Sequence, residues 1–285
     1  MRLNKWLDLF ERPLKKGTIL KDRYEILRLL GKGGYGLVYE ALDSAIGQNV
    51  VIKQLRKRRA KSQKEWLAFE NEADILKSLS HPSFPSFIDF IHDKMGRFIV
   101  MEKLEGFSFE ELIFQQKRVF DHDDSLRILL GVLKLVQILH SQGIIHGDLR
   151  IPNILMNNDQ LFIIDFGLSH RIGDHLNLDE KICGHPARLP VSYQADLLAL
   201  GHFVLFLLYS SYTPDSRKER SWEDELKLPS STKEMIQRLL QIKHPYDSVE
   251  KAIEDVQSIL YSRKNHKTET LIFPAQRGKK HVTGC

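Results

Sequence analysis

Three polar side chains in the second half of this sequence are of the types that transfer phosphoryl groups. Asp148 and Asn153 lie within residues 145–155, and Asp165 begins the triplet Asp165-Phe166-Gly167 after an apolar run. Phosphoryl transfer needs one carboxylate to accept a hydroxyl proton and oxygen ligands to hold Mg²⁺ on the phosphates. A surface hairpin would also be rich in Asp, Asn and Gly. The Asp148–Asn153 stretch and the Asp165-Phe166-Gly167 triplet, present together and in this order, favour a site for phosphoryl transfer.

A glycine-rich turn lies near the beginning of the chain. Residues 24–30 are strand-like and run into Gly31-Lys32-Gly33-Gly34-Tyr35-Gly36, after which strand character resumes up to residue 42. Glycine lets backbone amides come close to phosphate oxygens. The same spacing occurs in dinucleotide-binding turns, but those turns open a helix. Because a strand follows here, we predict a phosphate-binding hairpin.

A lysine lies inside the next predicted strand, at residues 49–55. Lys53 follows Val50-Val51-Ile52, and a buried lysine is costly unless a carboxylate pairs with it. The helix predicted at residues 65–79 places Glu72 on the same face as Leu76. We therefore expect Lys53 to pair with Glu72.

A run of cations follows this strand. Residues 53–64 contain seven Lys or Arg and no acidic residue. We predict that the run 56–64 is a solvated loop and helix start that phosphoryl transfer does not need. A docking patch for an acidic partner is the alternative. We do not expect nucleic acid as a partner, although this run leaves that open.

The chain divides into a strand-rich first part and a helix-rich second part. Its 285 residues, 42% of them hydrophobic, suffice for one large domain or two lobes. We predict an α+β fold with a small lobe at 20–102, a hinge at 103–106 and a large lobe at 107–262. Strands are expected at 87–92 and 98–102, and helices at 109–116, 125–142, 195–210, 232–241 and 248–261. Residues 1–19 form an extension with a short helix at 1–16, and residues 263–285 a loosely held basic tail.

Composition bears on the cellular compartment. Only two cysteines are present, Cys183 and Cys285, which is no disulfide framework and indicates a reducing, cytoplasmic setting. The N-terminus has no secretory signal. The most apolar run, residues 197–209, is broken by Gly201 and His202 and is too short for a membrane span. The net charge of +5 suits an anionic ligand without proving one.

These pieces together resemble the eukaryotic-like (Hanks-type) protein kinase domain, over roughly residues 20 to 262. The resemblance implies a two-lobed fold and transfer of phosphate from ATP to Ser or Thr of a protein substrate, with Mg²⁺ (Mn²⁺ as an alternative) as the metal. It assigns catalytic roles to Asp148, Lys53, Arg150 and Glu72, and metal binding to Asn153 and Asp165. It implies a nucleotide site that comprises Leu30, Gly31, Lys32, Gly33, Gly34, Tyr35, Gly36, Leu37, Val38, Val51, Lys53, Met101, Glu102, Leu104 and Leu155. Asp196 resembles the buried aspartate that braces the catalytic loop.

The chain also departs from the family pattern. The triplet His146-Gly147-Asp148 lacks the arginine that reads a phosphorylated activation segment, so we expect basal activity without that phosphate. Ser169 is the only Ser or Thr in residues 168–190. Residues 184–190 resemble the end of the family's activation segment, but no glutamate follows to complete its Ala-Pro-Glu motif. Two alternatives remain open. One is a small-molecule kinase of the aminoglycoside or choline kinase type, and the other is an inactive ATP-binding scaffold.

Overall fold

The structure is a computed structural model that describes residues 12–34, 36–172, 192–214, 218 and 220–272, with only the backbone described from 263 onward. Several features predicted from the sequence lie outside these residues. They are most of the helix expected at 1–16, Tyr35, the motif at 184–190, both cysteines and the last thirteen residues.

The small lobe is a six-stranded sheet with the order β1-β2-β3-β4-β6-β5. Its strands are β1 Ile19–Leu20, β2 Tyr24–Lys32, β3 Gly36–Asp43, β4 Gln48–Leu55, β5 Phe87–Asp93 and β6 Gly96–Glu102. All neighbouring strands pair antiparallel, and Lys53 in β4 lies opposite Val38 and Ile99. The strands expected from the sequence are all present, with ends that differ by one or two residues.

Alternation along β4 divides the small lobe into two apolar layers. Val50 and Ile52 pack in a satellite core on one face of the sheet, whereas Leu55 and the half-buried Val51 pack in the main core on the other. Because successive side chains of a strand point to opposite faces, Lys53 shares the face of Val51 and Leu55. That face is covered by the helix α1, Gln63–Ser78.

Helix α1 begins at its N-cap Ser62, whose hydroxyl accepts the Glu65 amide, and it buries Phe69, Ala73, Ile75 and Leu76 against the main core. Glu72 lies on the same buried side and is only 3% exposed. The helix therefore places the Glu72 carboxylate in an apolar layer, where it needs a cationic partner.

The large lobe is mainly helical. Its long helices are α2 His122–Ser141, α3 Tyr193–Tyr209, α5 Ser230–Leu239 and α6 Val249–Ile272, and a short helix α4, Trp222–Glu225, lies between α3 and α5. A single π-helical turn, Glu111–Gln115, stands where an ordinary helix was expected at 109–116. Helix α4 was not predicted because four residues carry no readable periodicity.

The last helix is longer than the sequence pattern indicated. Helix α6 continues to Ile272, eleven residues beyond the expected end at Tyr261. Residues 262–272 contain no Gly or Pro, and the next proline is Pro274, so the sequence offers no local reason for the helix to stop earlier. The first part of the expected basic tail is therefore helical.

Short strands position the loops between the lobes. β9 Ile154–Asn157 pairs with β10 Gln160–Ile163 and with β7 Phe107–Ser108, and β8 Ile144–Ile145 pairs with β11 His170–Arg171. The chain between β8 and β9 holds residues 146–153, and the chain after β10 holds residues 164–169. The loops 146–153 and 164–169 therefore lie next to each other. No helix in the described ranges is long and apolar enough to cross a membrane.

Two neighbouring residues at the centre of α2 allow the packing of the main core to be tested. Leu133 is fully buried within the main core, whereas the next residue, Lys134, is exposed on the same helix. Leu133→Ala should lower the free energy of unfolding by about 2–5 kcal/mol, because it removes buried methyl groups and leaves a cavity. Lys134→Ala, the matched control, should stay within about 0.5 kcal/mol of the parent in urea denaturation. Equal effects of the two changes would contradict this description of the core.

Candidate active site

The loop that carries Asp148 is braced by a buried carboxylate of α3. Asp196 is fully buried and accepts hydrogen bonds from the backbone amides of His146 (2.9 Å) and Gly147 (2.8 Å). His140 Nε2 lies 2.9 Å from the same carboxylate. A buried carboxylate with three partners is costly to move, so it fixes the backbone just before Asp148. This is the geometry expected for Asp196.

Ile164 joins this loop to the one that carries Asp165. Its amide donates to the Asn153 carbonyl at 2.9 Å, and its carbonyl lies 3.2 Å from His146 Nε2. Burial lowers the pKa of His146 below its usual range, so the ring is neutral at pH 7. The ring then donates from Nε2 to Ile164 and accepts the Asp148 amide at Nδ1, at 3.2 Å. Asp148, Asn153 and Asp165 are held side by side as a result.

Lys53 connects the two lobes at this point. Its Nζ lies 2.6 Å from Glu72 Oε1 and 2.7 Å from Asp165 Oδ1. Burial alone would lower the pKa of Lys53, but the two carboxylates raise it above its usual range. The lysine charge in turn lowers the pKa of Asp165. Strand, helix and loop therefore meet in one charged cluster, and the pairing of Lys53 with Glu72 expected from the sequence is present.

Gly167 leaves room for this cluster. A Cβ at this position would lie 2.6 Å from Lys53 Nζ and 3.2 Å from both Asp165 Oδ1 and Glu72 Oε2. Asp165 itself has a φ of 64°, in the left-handed region that Asp tolerates better than most residues. The turn after Asp165 is thus shaped by the ammonium group beside it.

The carboxylate of Asp148 is held from two sides. Arg150 donates to both of its oxygens, at 2.7 and 2.8 Å, and Asn153 Nδ2 donates to Oδ2 at 2.9 Å. Asn153 Nδ2 also lies 2.9 Å from the Asp148 carbonyl. A carboxylate has about four lone-pair sites, so capacity remains to accept a hydroxyl proton.

The donor atoms in the cleft fit a hard divalent cation. Because the nitrogen of Asn153 faces Asp148, the oxygen of that amide is the atom left for a metal. The Asp165 carboxylate supplies a second oxygen, and oxygen donors are what Mg²⁺ prefers. Within the described ranges no three His, Cys, Asp or Glu side chains form a metal-binding group. Two protein ligands accord with a metal bound chiefly through water and phosphate.

The apolar residues expected at the nucleotide site come from both lobes. Val51 and Val38 come from the sheet, Met101 lies at the end of β6, and Leu155 in β9 is 8% exposed. Leu104 in the connection between the lobes is half buried, and Leu30 before the glycine turn is 42% exposed. Glu102 turns its carboxylate to Ser86, 2.7 Å from the hydroxyl, and its amide donates to the Ser86 carbonyl at 2.9 Å. Neither the carboxylate nor the amide of Glu102 is therefore left for a ligand.

One predicted nucleotide contact points away from the cleft. Leu37 is fully buried in the satellite core, on the opposite face of β3 from Val38. Strand alternation dictates this, since two consecutive residues cannot both face the cleft. The side chain of Leu37 therefore belongs to the fold of the small lobe, and only its backbone adjoins the glycine turn.

The basic run is not uniformly solvated, which corrects the expectation for residues 56–64. Arg56 is 4% exposed, and its Nε and NH2 donate to the Gly33 carbonyl at 3.0 and 2.8 Å. Arg59 donates to Glu65 at 2.5 Å and is mostly buried. A run of like charges in a sequence gives no sign that one member folds back onto a turn 23 residues earlier.

Two further contacts that the sequence did not indicate tie α1 to the segment after Gly167. Asn71 Nδ2 donates to the Ser169 carbonyl at 2.9 Å, and Arg171 NH2 donates to the Ser78 hydroxyl at 2.5 Å. Ser169 is 1% exposed, and its hydroxyl donates to the His146 carbonyl at 3.0 Å. Ser169 is therefore a structural residue in this conformation.

Sequence comparison relates this chain to known protein kinases. A family model described as "Protein kinase domain" matches residues 24–267. The "Probable serine/threonine-protein kinase YbdM" of Bacillus subtilis (strain 168) is 38% identical over 255 residues, which are 89% of this chain and 96% of that protein. The "Probable serine/threonine-protein kinase PknB" of Lactococcus lactis subsp. lactis is 29% identical over 213 residues, 70% of this chain but 33% of that one.

A solved structure shares the fold at low sequence identity. A crystal structure of the PknI kinase domain from Mycobacterium tuberculosis superposes with a TM-score of 0.67 at 17% identity, covering 87% of this chain and 99% of that one. The family model and the relative from Bacillus subtilis show that the chain belongs to the protein kinase domain family. The solved structure agrees with the two-lobed α+β fold predicted from the sequence.

Gly147 provides the first test of the site. Gly143 and Gly147 both have positive φ, 70° and 75°, but a Cβ on Gly147 would lie 2.6 Å from the Leu168 carbonyl, whereas Gly143 has open space. Gly143→Ala should cost only about 1 kcal/mol of stability. Gly147→Ala should cost clearly more and also lower kcat, since Asp148 is adjacent. Thermal denaturation and steady-state kinetics measure both, and indistinguishable variants would contradict the close approach.

Arg56 provides the second test. Arg56→Ala removes two charge-assisted hydrogen bonds from the glycine turn, so KM for ATP should rise roughly tenfold or more while kcat changes less. Arg56→Lys should recover part of the loss, and Lys61→Ala, in the exposed part of the run, should leave KM unchanged. A KM for ATP that is insensitive to Arg56→Ala would restore the view that the whole run is dispensable.

Proposed function

We propose that this chain transfers the γ-phosphoryl group of ATP to Ser or Thr hydroxyls of a protein substrate. The observation that carries the proposal is the joined cluster, in which Lys53 Nζ contacts Glu72 and Asp165 at 2.6 and 2.7 Å while Asp148 and Asn153 are hydrogen-bonded in the adjacent loop. The relatives described above are named serine/threonine-protein kinases, which supports a protein acceptor over a small molecule. A scaffold that only binds ATP has no chemical need for this complete set.

The contacts of each residue support its proposed role. Lys53, held by Glu72, neutralises charge on the nucleotide phosphates. Asp148 orients the acceptor hydroxyl and takes its proton. Arg150, paired with Asp148 across 2.7 Å, keeps a positive charge where negative charge develops on the transferring group. Most of the rate acceleration would come from positioning and electrostatics.

The nucleotide would lie between the glycine turn and Leu155. Leu30, Val38, Val51, Met101 and Leu155 supply apolar contacts to the base, and the carbonyl of Glu102 and the backbone of Leu104 supply its hydrogen-bonding groups. Backbone amides of the glycine turn would bind the phosphates. Mg²⁺, or Mn²⁺ in its place, would be held by Asn153 and Asp165 and would offset charge on the phosphates.

The domain limits and the location of the protein also remain proposals. We propose a kinase domain over residues 20–262 with its hinge at 103–106, to which the helical turns up to Ile272 are joined without a break. The cytoplasmic setting inferred from two widely spaced cysteines is checked by cell fractionation.

Removal of the proposed base tests the reaction. Asp148→Asn removes the proton acceptor but preserves the size of the side chain, so kcat should fall by about two to four orders of magnitude. Binding of ATP with Mg²⁺, measured by calorimetry, should persist because Lys53 and Asp165 are unchanged.

Asp159→Asn is the matched control. Asp159 is exposed in the β9–β10 turn and has a φ of 68°, a conformation that Asn also adopts. Its kcat should equal that of the parent. A parental rate in Asp148→Asn on a protein acceptor would overturn the assignment of the base.

A further inference from the structure

A second depression lies beside Asp148, on the large lobe. It has a volume of about 490 Å³, and its wall includes Asp148 and Arg150 themselves. Most of its other lining residues are apolar, with Ile151 and Pro152 from the loop and Leu198, Phe203 and Phe206 from α3. The depression is therefore continuous with the place where an acceptor hydroxyl must lie.

One side of α3 forms the floor of this depression. Ala195, Ala199, His202 and Phe206 are spaced three or four residues apart, which places them on one face of the helix. Asp196 projects from the adjoining face and holds the loop that carries Asp148. The position of the floor relative to Asp148 is thus fixed by the helix that braces the catalytic loop.

Phe206 is the unusual member of this floor. Its side chain is 46% exposed, although neighbouring α3 residues such as Phe203 (1%) are buried in the core. An aromatic ring that stays exposed in a concave surface offers apolar area that a ligand can cover. Glu110, which is exposed, also belongs to the lining of this depression.

We propose that this depression binds an apolar side chain of the acceptor protein, within three residues of the phosphorylated Ser or Thr. The proposal rests on the kinase function proposed above. An extended peptide advances about 3.3–3.6 Å per residue, so residues next to a hydroxyl at Asp148 reach the adjoining wall. The apolar floor favours Leu, Met or Phe. An acidic residue would lose its hydration there without gaining a free cation, because Arg150 is already paired with Asp148.

The test uses the full-length protein with ATP, Mg²⁺ and peptides that contain one Ser among Ala and Gly. Leu, Asp, Arg or Gln is placed in turn at each of the three positions on either side. At one position, Leu should give a kcat/KM at least about tenfold above Asp or Gln, the size of effect that apolar pockets produce. Phosphorylation without any such preference would overturn the inference but leave the kinase function intact.

A charge placed on the floor identifies the surface responsible. Phe206→Glu should remove the preference for Leu and favour Arg at the same position, with ATP affinity by calorimetry confirming that the variant is folded. Ile242→Glu, which replaces another exposed apolar residue (59%) outside the depression, should keep the parental preference. An unchanged profile in Phe206→Glu would overturn the inference. Failure of the parent protein to phosphorylate any peptide or protein would instead refute the proposed function.

Discussion

The ammonium group of Lys53 is the contact on which the arrangement of the two lobes depends. The Lys53 side chain is only 9% exposed, and its Nζ lies between Glu72 and Asp165, at 2.6 and 2.7 Å. A buried charge is tolerated only with paired and well-oriented partners, and loss of one partner leaves another charge buried without compensation. Strand β4, helix α1 and the loop after β10 must therefore take up their positions together, and the loop at Gly167 has no space for a side chain because this group fills it.

Much of the architecture could be predicted because local patterns dictate it. The alternation in the small lobe and the apolar spacing of the long helices indicated the right elements, and the position of Glu72 beside Leu76 pointed to a partner for Lys53. The type and order of Asp148, Asn153 and Asp165 indicate phosphoryl-transfer chemistry, and these residue roles stay predictions. These signals are carried by neighbouring residues, so they can be read from one sequence.

The features that the sequence did not indicate depend on contacts between distant segments. Arg56 looks like any other member of a cationic run, and only the fold shows that it closes onto Gly33. Asn71 and Ser169 are ordinary polar residues until α1 and the segment after Gly167 lie together. Leu37 belongs to the glycine-rich motif, but strand alternation places its side chain in the satellite core, on the face opposite Val38.

The glycine in His146-Gly147-Asp148 is also explained by contacts rather than by charge alone. In the sequence, Gly147 stands out only because it replaces an arginine that reads phosphate. In the fold, it is a position with a φ of 75° where a Cβ would lie 2.6 Å from the Leu168 carbonyl. The Gly147 amide is at the same time bound to Asp196, which is a residue of α3. The loop is therefore held between the helix beneath it and the segment after Gly167, so Asp148 is positioned by packing and backbone hydrogen bonds. Because Asp196 is fully buried, the backbone at Gly147 is fixed by the fold itself. Basal activity without a phosphate on the activation segment stays a prediction.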